Sequence, residues 1–191
     1  MFARNKSEAG RYRAFATKIL EDELKLKVNK EKTHITSISK CVAFLGFIIR
    51  RKYISIHPKR IKRLKDKIRK LTPRNSGKNV EMMVQEINPI LRGWANYFKI
   101  ANCKGTFGDI MGWIRRRLRM KKMKEWKSWK ALHKQLKRMG YKGEFEKISM
   151  SRWRNSASPL INMALPNKWF DEIKLFDISK VQVGTLYCYY E

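Results

Sequence analysis

Near the start of the chain Tyr12, Phe15, Ala16, Ile19 and Leu20 recur at intervals of three and four, with Leu24 extending the series. That spacing predicts one buried helix, and Ser7 is a candidate for its cap. The period then shortens. Leu24, Leu26 and Val28 alternate with Lys25 and Lys27, and Ile35 to Ile38 is another short extended candidate. "CVAFLGFII", followed by "RRK" and "YISI", reads as a hairpin. Residues 1–56 are therefore expected to form a helix plus a small antiparallel sheet.

From Pro58 the helical period returns. Pro58 suits a first turn, Ile61, Leu64, Ile68 and Leu71 share a face, and Pro73 with Asn75, Ser76 and Gly77 ends the helix. A second helix carries Val80, Met83, Val84, Ile87, Leu91, Trp94, Phe98 and Ala101 on one stripe, with a kink expected at Pro89. A third starts near Thr106 and aligns Phe107, Ile110, Met111, Ile114 and Leu118. Short connections predict an antiparallel bundle over residues 57–148. Residues 149–191 carry aromatics without helical regularity, apart from some helix around Leu160 to Leu165, and read as an appendage. The fold class is α+β, mostly α: a helix and small sheet, a three-helix bundle and an irregular tail.

Charge changes this picture from a fold into a binding surface. The chain has 45 Lys and Arg against 16 Asp and Glu in 191 residues, a formal charge of +29, while 43% hydrophobic residues suffice for a core. Arg50 to Arg74 holds twelve bases against Asp66 alone, whereas Ser151 to Glu191 holds five against four acids. The polyanion surface should lie mid-chain, and nucleic acid is the expected partner. A membrane is not expected, since the longest apolar run, "VAFLGFII", is strand-like. Cys41, Cys103 and Cys188 form no CxxC pair and the N-terminus has no apolar signal segment, so a reducing cytoplasm is expected.

The candidate contacts follow from the helix faces. On the first bundle helix they are Lys59, Arg60, Lys62, Arg63 and Lys67, and on the second Arg92. On the third, Arg115, Arg116, Arg119 and Lys122 fall opposite Ile110, Ile114 and Leu118, so they are expected to point away from the core. Acids that could pair with them at i,i+4 are missing. Trp113 borders the apolar face and is expected in the core. Trp126 and Trp129, among Lys127 and Lys130, stay open between core packing and stacking on unpaired bases. His34, His57 and His133 share no metal-ligand spacing and read as surface or capping residues; no carboxylate set suggests a metal site.

Several stretches together resemble one family, the reverse transcriptase and maturase proteins of bacterial group II introns. "LKLKVNKEKTHI" is similar to the end of that family's polymerase palm, and "FLGF" to its primer-grip hairpin. "INPILRGWANYF" with "WIRRRLR" resembles its thumb and maturase-specific region, and "WRNSASPLINMALPNKWF" the stretch beyond. The resemblance implies binding of structured group II intron RNA and help with its folding and splicing, with DNA as an open second polyanion. It implies a primer-grip role for Phe44, Leu45, Gly46 and Phe47, and a palm-motif role near the nucleotide for Lys32. The family's Tyr-Ala-Asp-Asp motif does not occur in the sequence, and its place would be just before Met1. No catalytic residue and no cofactor are therefore expected. Magnesium would enter only if a separately encoded N-terminal polymerase fragment completed the chain. A decayed remnant that binds any polyanion is the remaining alternative.

Overall fold

Residues 3–126, 128–145 and 158–184 are described by the structure, a computed structural model. Helix α1, Lys6–Lys18, is capped by Asn5, whose side chain accepts from the Glu8 N–H at 2.8 Å, so the helix starts two residues before the expected Ser7 cap would allow. The helix exists but is not buried: Phe15 is 63% exposed. Its spacing creates an apolar face, yet burial needs an opposing surface, and its residues join neither core of the described chain. The alternating residues from Leu24 to Val28 and the Ile35 segment form no strand; Ile38–Lys40 is a short 3₁₀ turn.

"CVAFLGFII" is not one strand of the expected hairpin but two. Strands β1 (Val42–Phe44), β2 (Phe47–Ile49) and β3 (Ile54–Ile56) form an antiparallel meander in that order. The chain reverses first at Leu45 and Gly46, whose φ values of 48° and 90° fit a tight two-residue turn. The register places Phe47 opposite Ile56, and both are buried. A Cβ on Gly46 would meet only the flexible, exposed Arg60 side chain, so the turn calls for glycine through its backbone angle.

Helix α2, Pro58–Leu71, starts as the sequence predicts. His57 caps it by accepting from the Lys59 N–H at 3.1 Å, and Pro58 fills the first turn. Leu64 and Ile68 are buried, with Ile61 and Leu71 at the edge of the core. Helix α3, Val80–Phe98, is capped by Asn79 and continues past Pro89, which sits on its exposed side. Helix α4, Lys104–Trp126, buries Phe107, Ile110, Met111, Ile114 and Leu118. These three helices share one core with the sheet, tied to it by the Tyr97 hydroxyl donating to the Leu45 carbonyl at 2.8 Å.

Beyond Trp126 a second core begins. Helix α5, Trp129–Arg138, contributes Leu132 and Leu136; α6, Pro159–Ala164, contributes Ile161 and Ala164; Met123 of α4 joins them. Helix α6 matches the helix expected near Leu160 to Leu165. Helix α7, Asn167–Glu172, and the 3₁₀ turn Ile178–Lys180 then bring Phe170, Leu175 and Ile178 back into the first core. The tail is irregular in sequence but built into both cores, and this decides the fate of several basic side chains. No described helix is long and apolar enough to cross a membrane.

Candidate nucleic-acid interface

The first basic surface is the solvent side of α2. Lys59, Arg60, Lys62, Arg63, Lys67 and Lys70 are all exposed, while Leu64 and Ile68 on the opposite side hold the helix to the core. From Lys59 to Lys70 the helix rises about 16 Å, enough to present bases to several successive phosphates. Within α2 the single acid, Asp66, is paired with Arg69. Lys70 was not among the sequence candidates, although its spacing from Lys59 and Arg63 places it on the same side.

Helix α4 departs from expectation. Arg115, Arg119 and Lys122 do lie away from Ile114 and Leu118, but they do not face solvent. Arg115 Nη2 reaches Asp177 Oδ2 at 2.6 Å in a mostly buried ion pair. Arg119 is buried, with Nε donating to the Leu165 carbonyl at 2.9 Å and Nη2 to Asn167 Oδ1 at 3.3 Å. Burial, with Arg115 nearby, pulls the Arg119 guanidinium below its ordinary pKa. Lys122 bridges Glu81 at 3.3 Å and Glu125 at 3.2 Å. Of the four predicted residues Arg116 alone is exposed. For Arg115 and Arg119 the physical reason is the tail, whose carboxylate and carbonyl oxygens cover that side of α4 and need cationic donors once buried, whereas Lys122 is held by Glu81 of α3 and Glu125 of its own helix.

Two further bases of α4 act as ties that sequence reading missed. Arg117 donates to the Thr72 hydroxyl at 3.0 Å and to its carbonyl at 2.7 Å, closing the end of α2. Lys121 is buried and donates to the Ser76 carbonyl at 2.8 Å. No periodicity signal separates such ties from free bases; only the partner's position does. The basic helix is thus largely a strut.

The second free surface is α5. Lys130, Lys134, Lys137 and Arg138 are exposed opposite Leu132 and Leu136. All but Lys130 were missed, although the Leu132 and Leu136 spacing marks an amphipathic helix. Lys127 lies outside the described residues. Trp126 is half-buried and packs against the second core. Trp129 is 43% exposed, its ring edge-on to His133 at 4.6 Å. Trp113 packs on the first core as expected. Arg92 is exposed, but its guanidinium lies 4.9 Å from the Phe176 ring.

The four "FLGF" residues divide. Phe44 and Leu45 are exposed, whereas Phe47 is buried against Tyr97 and Phe98, at centroid distances of 5.6 and 5.1 Å. Lys32 lies in an exposed turn begun by Asn29. Among the described residues no group of three or more His, Cys, Asp or Glu side chains could hold a metal ion. Cys41 is exposed; Cys103 is buried, and burial pushes its thiol up to about 11.

Residues 61–140, running from the first turn of α2 to the glycine after α5, match the family model for the group II intron maturase-specific domain. Over this stretch the chain is similar to group II intron maturases. A comparison with curated proteins found no match. The matched segment contains the exposed α5 bases, the α4 ties and the exposed α2 bases from Lys62 onward, while Lys59 and Arg60 lie just before it. Its boundaries do not follow the packing, because Asp177, Leu165 and Asn167, which hold the α4 arginines, lie beyond it.

Proposed function

We propose that the protein is an RNA-binding intron maturase that grips structured group II intron RNA through its phosphates and stabilises the RNA's splicing-competent fold. The observation that carries this reading is the coincidence of the maturase-specific match with two exposed basic helix faces that lack a matching set of acids. Such faces can exchange counterions for RNA phosphates, which supplies affinity; the shape of the folded RNA then supplies selectivity. Held at its C-terminal end by Arg117, with Lys121 fixing the connection that follows, α2 offers its bases from a rigid frame, so fewer degrees of freedom are lost on binding.

The test is direct binding to group II intron RNA, to a scrambled RNA of the same length and to duplex DNA at one salt concentration. The intron RNA is expected to bind at least about tenfold more tightly than either competitor, a difference of about 1.4 kcal/mol. Equal affinity for all three would overturn the maturase reading and leave a general polyanion binder.

A further inference from the structure

One flank of α2 is electrostatically overloaded. Pro58, Ile61, Lys62, Lys65 and Arg69 line an open groove of about 300 Å³. Three cations surround one indole: Lys65 Nζ is 5.6 Å, Arg69 Cζ 5.4 Å and Arg117 Cζ 5.3 Å from the Trp113 ring centroid. A ring quadrupole attracts a cation within about 6 Å, but it carries no net charge and cannot neutralise three. Lys65 and Arg69 are like charges at i,i+4, which destabilises a helix. Asp66, the acid of this helix, is paired with Arg69 alone. Arg117 directs its hydrogen bonds to Thr72, so it contributes charge rather than free donors.

A cluster of this kind is completed by an anion. The groove lies along the same helix that exposes Lys59, Arg63 and Lys70 on its outer side, which favours an anion carried on a polymer. The indole is a poor stacking platform because cations already occupy its surroundings; base stacking would have to displace them. We propose that Lys62, Lys65 and Arg69 form a seat for two successive RNA backbone phosphates, with Trp113 as the positioning residue that holds the cationic heads of Lys65 and Arg69 at its rim. The seat rests on the RNA-binding reading and refines it: contact here is to phosphate oxygens and is independent of base sequence.

The experiment is a filter-binding salt titration with intron RNA, comparing wild type with K65Q/R69Q and, as a milder single change at half-buried Lys65, K65Q alone. Two lost contacts at 0.7 to 0.9 each should flatten the slope of log K against log salt by about 1.4 to 1.8, and weaken binding roughly 10- to 30-fold near 0.15 M salt. K65Q alone should flatten it by about half as much. Trp113→Leu should also flatten the slope, whereas Trp113→Phe, which keeps a ring, should restore it. Thermal melting without RNA confirms that each variant folds. An unchanged slope in the folded K65Q/R69Q or K65Q protein overturns the seat while leaving RNA binding in place; a flat slope in wild type overturns the RNA reading itself. Inorganic phosphate at fixed ionic strength distinguishes the source. If it raises the melting temperature of wild type but not of K65Q/R69Q while RNA binding is unchanged between them, the ligand is free phosphate and the RNA seat is overturned.

Discussion

Arg115→Gln is expected to lower the unfolding free energy by about 3 to 5 kcal/mol, because it strands Asp177 as a buried carboxylate without its cation. Asp177 keeps the Ser179 N–H at 3.0 Å and the Ser179 hydroxyl at 2.6 Å, but neither supplies charge. Its neighbours Leu175 and Ile178 anchor the tail in the first core, so a loosened Asp177 disturbs that packing too. Arg119→Gln should also destabilise, since the Leu165 carbonyl would lose its guanidinium donor in a buried setting. Arg116→Gln, at an exposed position on the same helix, should stay within about 0.5 kcal/mol of wild type. Chemical denaturation of the three variants checks the order. Equal stabilities would show that the α4 arginines are not internal ties.

The largest expected effect on binding belongs to the outer side of α2. Neutralising Lys59, Arg63, Lys67 and Lys70 together to Gln removes four exposed charges without touching Leu64 or Ile68. At 0.7 to 0.9 in the salt slope per contact, RNA affinity near 0.15 M salt should fall roughly 100- to 1,000-fold. Stability should hold or rise slightly, because mutual repulsion along the helix is relieved. A binding assay paired with a thermal melt checks both halves. Full affinity in a folded quadruple variant would move the RNA contact elsewhere, with the α5 bases Lys134, Lys137 and Arg138 as the next surface to neutralise.

The contrast between these two helices shows what sequence pattern can carry. The apolar spacing of α2, α3 and α4 made their buried faces legible, because Ile68, Ile87 and Ile114 each needed only a neighbour to cover them and short connections supplied it. For α2 the outer polar face was legible too, since its bases are exposed among the described residues. For α4 they were not. Arg115 and Arg119 look identical in sequence to free bases, and only the return of the tail, with Asp177 and Leu165, turns them inward. The same logic in reverse explains α1, where Tyr12 and Phe15 form an apolar face that the described chain leaves exposed. The Leu45–Gly46 reversal was hidden inside an apolar run, although the glycine marked it and Arg60 closes over it. Distant partners, rather than local propensity, set the differences.

The proposal that exposed bases in and beside the segment matching the maturase-specific model hold RNA by its phosphates is tested most directly by the salt dependence of intron RNA binding to the wild-type chain. With four contacts from the outer side of α2 and two from the Trp113 groove, the account predicts a slope of log K against log salt of roughly −4 to −5. A slope near zero would contradict it.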